Sequence, residues 1–431
     1  MRELAVKNQI DYSLKCLAGS VLLLLIAFPY LQLIQSESYT QPYALILAIL
    51  LFPIIVWSVL PRLGLGDQIA LIGLALSGIF IFLITCYPYV NNQEFKYLIS
   101  YVSPLLLTAP ILFYLKKYNI IAVKILRISI FVWLVVAAVQ KLINPNFLIF
   151  LIGQWGESAL DIVESGRGVI GLAPEPTHHA FHILLLATCL ALLDAKKQSG
   201  WLLIFCVIDA VVFAASASAI LVLGMSVIIY SILYHQRFIF YISIIILLAF
   251  AFGVIDRILI DANIRIAQLI SAVLKEPMSV LTLDYSMNVR LGGLIAVIIT
   301  TLSHALAPFG LSLEAWEIAR ENMLNELPWL IDLSSVGPPS GIGQLLFQTG
   351  FLGAIFVFMI FRRVLSFRVG SVEKILLITT PLIFLSQYYI STPTFSLLYA
   401  CALYRWSKEK EFYKTKKSNQ NLIVNLNFPC H

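Results

Sequence analysis

A short segment between two hydrophobic runs carries one acid and three histidines. It reads GLAPEPTHHAFH from Gly171 to His182 and contains Glu175, His178 and His179. A carboxylate at the start of a helix is favoured by the helix dipole, and histidines four residues apart on one helix face can bind zinc. The sequence has no HExxH motif and no second ligand cluster, so we predict no metal site. The alternative is that these histidines lie at the membrane interface or, for His182, pack against a neighbouring helix.

Two arginines lie among glycines and apolar residues, an unusual setting for a solvated cation. Arg167 occurs in SGRGVIG and Arg290 in NVRLGG. The guanidinium group is a planar fork of donors that matches phosphate oxygens. Two such groups above a membrane cavity would suit an anionic head group, such as a lipid pyrophosphate. The alternative is that they pair with Glu157, Glu164 or Asp284.

Asp209 is a third polar feature, because it lies within the apolar run at 200–214. An acid inside a membrane is costly and is often functional. The alternative is that Asp209 packs against polar residues of a neighbouring helix surface, such as Ser216 and Ser218. One acid alone does not indicate a proton relay.

Composition indicates the kind of protein that positions these residues. The 431 residues are 60% hydrophobic and 12% charged, about half the charge of a soluble domain. The net charge of +6 reflects membrane topology and not nucleic-acid binding. The sequence contains repeated apolar runs, each long enough to cross a hydrocarbon core of about 30 Å. We predict an all-α polytopic membrane protein with about twelve transmembrane helices, at 16–34, 42–60, 67–89, 97–115, 124–140, 175–193, 200–214, 217–234, 238–255, 341–361, 373–390 and 393–406.

The basic residues predict the orientation of these spans. With the N-terminus inside, 21 of the 29 lysines and arginines fall in inner segments, as the positive-inside rule requires. Both termini are therefore expected in the cytoplasm. The spans form one membrane domain over 1–406, with outer loops at 141–174 and 256–340 and a basic tail at 407–431. The second outer loop is large, and its apolar periodicity predicts that it is partly helical.

Several motifs together resemble one family. RGVIGLAPEPT, from Arg167 to Thr177, resembles the arginine and Glu-Pro-Ser/Thr motif of bacterial O-antigen and exopolysaccharide polymerases of the Wzy type. FAASASAIL resembles the serine-rich helix that follows it in this family. APFG and SGIGQLLFQTGFLGAIF resemble the turn and the glycine-rich span that follow the large outer loop, and Arg290 lies where the family carries a second functional arginine.

The resemblance implies a metal-independent glycosyltransferase with a GT-C-like fold in the bacterial cytoplasmic membrane. Its donor would be a growing glycan on undecaprenyl diphosphate, and its acceptor a single repeat unit on the same carrier. No nucleotide sugar, cofactor or nucleic acid is implied; membrane lipid and a chain-length regulator protein are implied partners.

The same resemblance implies roles for particular residues. Arg167 and Arg290 would stabilise the leaving diphosphate, because fixed cations lower the barrier where negative charge develops. Glu175 would orient Arg167 or act as a base toward the acceptor hydroxyl. The implied substrate-binding residues are His178, His179, His304 and Arg320.

Two alternative functions share parts of this pattern. O-antigen ligases use the same donor but carry a His-Asn pair just before the span after the large loop, where this chain reads GPPSGIGQ. A flippase or other transporter of lipid-linked oligosaccharides tends to have short outer loops and charges inside the bundle. The absence of a His-Asn pair favours a polymerase over a ligase. The long outer loop at 256–340 and the few charges within the spans favour an enzyme over a transporter. The sequence does not indicate the sugar or its linkage.

Topology provides the first testable prediction. Reporter fusions at Asn119 and Gln198 should report a cytoplasmic location, and fusions at Glu164 and Glu276 an outer one, because the basic residues divide in that way. An outer signal at Gln198 would contradict this orientation, since it would place Glu175 at the inner face.

Overall fold

The computed structural model of the chain describes residues 2–32, 40–86, 91–152, 168–194, 198–234, 288–333 and 337–426. Within these ranges the chain is helical and has no β-strand, which confirms the predicted all-α class. The predicted span at 238–255 and the part of the second outer loop before Asn288 lie outside the described residues.

The helices follow the predicted apolar runs along the chain. They are α1 (Arg2–Ala27), α2 (Tyr43–Val59), α3 (Leu65–Thr85), α4 (Asn92–Leu142), α5 (Pro176–Leu193), α6 (Gly200–Ile208), α7 (Ala217–Tyr234), α8 (Gly293–Ser303), α9 (Leu313–Glu326), α10 (Gly341–Leu365), α11 (Ser371–Ser386) and α12 (Pro393–Leu426). A π-helical turn at Asp209–Phe213 extends α6, and another at Asn288–Gly292 leads into α8. Because α12 continues to Leu426, most of the predicted tail is helical.

Membrane-spanning character is clearest in five helical segments. Those long and apolar enough to cross a membrane are Tyr43–Arg62, Leu65–Thr85, Asn92–Leu142, Pro176–Leu193 and Gly341–Leu365. Apolar helices of shorter length lie at Ser13–Ala27, Gly200–Phe213, Ser218–Tyr234 and Asn288–Ser303. The total of about twelve spans stays a prediction.

Helix α4 reverses direction near its middle. Tyr118 has non-helical torsions, φ −130° and ψ 34°. Tyr114 forms a hydroxyl hydrogen bond of 2.7 Å with Ser20, and Trp133 donates to the carbonyl of Ala27 at 2.9 Å. A straight helix would rise about 28 Å from Tyr114 to Trp133. Their partners in α1, Ser20 and Ala27, are separated along that helix by only about 10 Å. The two halves of α4 therefore correspond to the predicted spans 97–115 and 124–140.

Helix α5 is the central element of the bundle. Every residue from Pro176 to Leu193 is buried except His178. The helix packs against α4, α6, α11 and α12, and its leucine and alanine side chains fill the space between them. A helix that is apolar on all sides is expected to be enclosed in this way. Its N-terminal end is consequently held in a fixed position.

The chain turns sharply between α6 and α7. Ala215 has a φ of 46°, in the left-handed region that non-glycine residues seldom adopt. Residues 200–234 therefore form two separate helices. The turn brings the Ser216 hydroxyl to 2.9 Å from that of Thr177 at the start of α5.

The described part of the predicted second outer loop packs back onto the bundle. Helix α8 and the π-helical turn before it form one continuous element, and α8 lies against α10. Helix α9 buries Trp316 and Met323 in a cluster that includes Phe347 of α10. The loop is partly helical, as predicted, and it carries Arg290 toward the start of α5.

A buried ion pair joins the opposite end of the bundle. The Asp67 carboxylate accepts two hydrogen bonds of 2.9 Å from Arg363 and a third of 3.0 Å from the Tyr399 hydroxyl. The Arg363 guanidinium also lies 4.4 Å from the ring centroid of Trp406. These contacts connect α3, α10 and α12 where hydrophobic packing alone would leave their register less specified.

Removing the carboxylate of this ion pair should destabilise the protein. Asp67→Ala leaves the Arg363 guanidinium partly buried without its anion, a change that typically costs about 3 kcal/mol. We expect a clear fall in the melting temperature of the purified protein in detergent. Glu411→Ala is the matched control, because its pair with Lys408 is largely exposed, and such pairs contribute little. Equal melting temperatures for the two variants would contradict the structural role of Asp67.

Candidate functional site

The segment from Gly168 to Pro174, which leads into α5, is held by two neighbouring elements. The Val169 N–H donates to the carbonyl of Phe213 at 3.0 Å. The side-chain amide of Gln140, near the end of α4, accepts from the Gly171 N–H and donates to its carbonyl, both at 2.8 Å. Both backbone groups of one residue are thus paired with one side chain, which fixes the path of the chain into the helix.

Gly171 is required at its position for two reasons. Its φ is 58°, and a Cβ there would collide with the imidazole of His179. Nε2 of His179 lies 2.7 Å from the Asp209 carboxylate, and these side chains are 0% and 1% exposed. Asp209 therefore has a histidine partner that the sequence did not indicate. His179 is therefore buried in the core, whereas we expected it to bind substrate.

Glu175 and Arg290 meet at the start of α5. Glu175 has an extended backbone, as expected for the residue before a proline, and it is the N-cap of α5. Its carboxylate accepts from the Arg290 guanidinium at 2.8 Å, and the same guanidinium donates to the Thr177 hydroxyl at 3.3 Å. The side chains of Glu175 and Arg290 are 27% and 22% exposed. The ion pair is thus accessible to a ligand.

The electrostatic balance keeps Glu175 negatively charged. Burial alone would raise the pKa of its carboxyl group. The contacts with His178 and the Arg290 guanidinium outweigh burial and lower the pKa to about 2. The carboxylate is therefore ionised at physiological pH, and its negative charge is available to both neighbours.

His178 lies on the other side of the same carboxylate. Its Nδ1 is 3.7 Å from the nearest Glu175 oxygen, and its side chain is 13% exposed. The ring lies 6.0 Å from that of Tyr30, edge to face, and 6.3 Å from that of Tyr388. His178 is thus partly exposed beside Glu175, and its expected role in binding substrate stays a prediction.

A buried hydrogen-bond network supports the two tyrosines. Nε2 of His182 lies 2.9 Å from the Ala27 carbonyl, so this nitrogen donates. Its Nδ1 therefore accepts, with the hydroxyls of Tyr388 and Thr394 each at 3.3 Å. The hydroxyls of Tyr30 and Tyr388 are 2.5 Å apart. His182 thus packs against neighbouring helices, as the alternative interpretation of this segment predicts.

Two other predicted substrate-binding residues make contacts elsewhere. His304 is exposed at the end of α8, where its ring lies 4.6 Å from that of Phe309. Arg320 donates to the Leu333 carbonyl at 2.7 Å and pairs with Asp332, so it connects α9 to the segment that follows it. The structure does not bring either residue into contact with Glu175 or Arg290 among the described residues.

Arg167 lies outside the described residues. The described chain resumes at Gly168, whose φ is 112° and whose Cα packs closely against the carbonyl of Ala214. The expected approach of Arg167 to Glu175 and Arg290 therefore stays a prediction.

Sequence reasoning missed several residues that shape this site. Gln140 belongs to no motif, Thr177 ends the RGVIGLAPEPT motif but was given no role, and Tyr30 and Tyr388 lie far from Glu175 in the sequence. The available signal was weak: each is a polar group at the end of an apolar run, where a hydrogen-bond partner is required once the helix ends are buried.

The arrangement offers a cation, a carboxylate and an imidazole at one helix N-terminus. Such a group can bind an anion through the guanidinium and the helix end, and it can transfer a proton through the imidazole. The three histidines have separate partners. Among the described residues, no three His, Cys, Asp or Glu side chains converge as metal ligands would.

No protein-family model matches this chain, and comparison with curated proteins and with solved structures gave no significant match. The function must therefore be inferred from the geometry of these side chains together with the sequence motifs.

Gly171→Ala should destabilise the site and its surroundings. The left-handed backbone costs a non-glycine residue about 1–2 kcal/mol, and the collision with His179 adds to that. We expect a lower melting temperature in detergent. Gly224→Ala is the control, because a Cβ there meets open space within α7 and alanine favours a helix. A Gly171→Ala protein as stable as the Gly224→Ala protein would contradict the close approach of Gly171 and His179.

Proposed function

We propose that this chain is a metal-independent glycosyltransferase that polymerises lipid-linked oligosaccharide repeat units. The growing glycan passes from undecaprenyl diphosphate to a sugar hydroxyl of an acceptor unit on the same type of lipid carrier. The observation that carries the proposal is the ion pair between Arg290 and Glu175. It joins the RGVIGLAPEPT motif to the second loop, as a shared diphosphate site requires.

The position of Arg290 supports a role in binding the donor. Its guanidinium lies at the N-terminal end of α5, where backbone N–H groups and the helix dipole also favour an anion. The group is 22% exposed, so a ligand can reach it, and it is held by Thr177 as well as by the carboxylate. A planar guanidinium can bind two oxygens of a diphosphate at once.

This placement also fits the chemistry of the transfer. Negative charge grows on the diphosphate as the bond to the anomeric carbon breaks. A fixed cation that contacts this group stabilises the transition state more than the ground state and so lowers the barrier. Arg290 is the catalytic residue of this proposal, and Arg167, which precedes the docked residue Gly168, is proposed as a second cation for the same group.

Glu175 holds the Arg290 guanidinium through the ion pair. Its ionised carboxylate satisfies the guanidinium at 2.8 Å and keeps it directed toward the helix end. The donor diphosphate then competes with this carboxylate for the same donors. Glu175 is thus a positioning residue that releases Arg290 when the donor binds.

The proposed setting follows from the sequence. A GT-C-like bundle of about twelve helices lies in the bacterial cytoplasmic membrane with both termini inside, so the start of α5 faces outward. Lipid-linked repeat units reach the site laterally from the membrane, and a chain-length regulator protein is the expected protein partner.

Loss of Arg290 should stop glycan growth. In cells that lack the gene and are complemented with Arg290→Ala, we expect surface glycans of a single repeat unit, because the leaving diphosphate loses its cation. In other enzymes, removing one hydrogen-bond donor that stabilises developing negative charge lowers the rate about 100-fold or more. Arg290→Lys should restore only short ladders, since lysine keeps the charge but not the planar fork. The measurement is a gel of surface glycans, with protein amounts checked by immunoblot.

Lys141→Ala is the matched control, because this exposed basic residue ends α4 and takes no part in the ion pair. It should give a normal ladder. A normal ladder from Arg290→Ala as well would contradict the diphosphate role. Long chains that persist in the deletion cells without being attached to their final acceptor would indicate a ligase instead.

A further inference from the structure

We propose that His178 is the base that removes the proton from the acceptor hydroxyl. The inference rests on the proposed glycosyl transfer and assigns a residue to a step that the arginines cannot perform. Arginine remains protonated in proteins, so it can stabilise the leaving group but cannot accept a proton. The proton acceptor must be another group at the same helix end.

Accessibility selects this histidine from its neighbours. Between Gly168 and Leu193, only Glu175 and His178 are not buried. His179 faces Asp209 in the core, and His182 donates to the carbonyl of Ala27. Of the three histidines in the segment, His178 alone can meet a sugar hydroxyl at the rim.

The orientation of the imidazole also fits this role. Nδ1 of His178 faces the Glu175 carboxylate at 3.7 Å. This separation is too long for a hydrogen bond, but a carboxylate beside the ring stabilises the imidazolium that forms when the ring accepts a proton.

Two tyrosines limit the movement of the ring. Tyr30 and Tyr388 flank it, and their hydroxyls are paired with each other. Tyr388 is also within hydrogen-bonding distance of His182, deep in the bundle. The network holds the tyrosines and hence limits the rotation of the His178 ring.

One carboxylate thus serves both halves of the reaction. Glu175 lies between Arg290 and His178. When the donor diphosphate takes its place on Arg290, the carboxylate remains available to His178, which then carries the positive charge. Binding of the donor would in this way prepare the base for the acceptor.

The step balances without a further reactant. A bond forms between the acceptor oxygen and the anomeric carbon of the donor, while the bond from that carbon to the diphosphate oxygen breaks. The electron pair leaves with the lipid diphosphate. The acceptor proton passes to the imidazole of His178 and is then released to solvent.

The test uses the full-length protein in lipid nanodiscs. Its substrate is the polyprenyl-diphosphate-linked repeat unit extracted from cells that lack the gene. His178→Ala should lower the rate of lipid diphosphate release about 100-fold or more, the usual contribution of a general base, while binding of the lipid-linked unit changes little. Added imidazole should restore part of the rate. The rescue should increase with pH as more imidazole becomes unprotonated, with a midpoint near the pKa of free imidazole.

Glu317→Gln, on the exposed side of α9, is the control and should leave the rate unchanged. A His178→Ala rate within threefold of wild type would overturn the inference, and so would a loss that imidazole does not restore at any pH. Failure of the wild-type protein itself to extend the lipid-linked unit would instead reject the proposed glycosyl transfer.

Discussion

The ion pair between Glu175 and Arg290 connects two parts of the chain that are 115 residues apart. One partner begins the most buried helix of the bundle, and the other lies in the loop that packs against α10. Their contact at 2.8 Å requires the first loop, the second loop and α5 to meet at one end of the molecule. Other hydrogen bonds nearby stabilise this contact. Gln140 pairs with the backbone of Gly171 before α5, and the Thr177 hydroxyl contacts both Arg290 and Ser216.

Buried pairs of charged or polar side chains elsewhere in the bundle help to fix how its helices pack against one another. Lipid-facing and protein-facing surfaces of an apolar helix are chemically alike, so hydrophobic burial specifies register only weakly in a membrane. Asp67 with Arg363, and His179 with Asp209, each join helices through an interaction that has one geometry. A buried charge without its partner would be costly, and the pairs therefore discriminate against slipped arrangements. The pair at the start of α5 differs because both of its side chains are partly exposed, and in the proposed function the donor diphosphate replaces the carboxylate.

Hydropathy and motifs predicted much of this architecture, because apolar length and proline positions act locally. The class, most helix positions and the start of α5 at Pro176 all follow from such local signals. The reversal of α4 at Tyr118 also agrees with two predicted spans. Pairing between distant residues did not follow: nothing local in the sequence indicates that Asp209 meets His179, or that Tyr388 and Tyr30 flank His178. For the same reason Arg290 could be predicted to bind an anion, but its pairing with Glu175 in place of Glu157, Glu164 or Asp284 required the fold.

The central claim is that Arg290 exchanges the Glu175 carboxylate for the diphosphate of a lipid carrier. The most direct measurement is the affinity of undecaprenyl diphosphate for the purified protein in nanodiscs, compared between wild type and Glu175→Gln. Glutamine has nearly the same size but removes the charge that competes with the ligand. The account predicts that Glu175→Gln binds undecaprenyl diphosphate more tightly than wild type does, by several-fold, and that the difference disappears when Arg290→Ala is added. Equal or weaker binding by Glu175→Gln, in a protein that is as stable as wild type, would contradict the exchange.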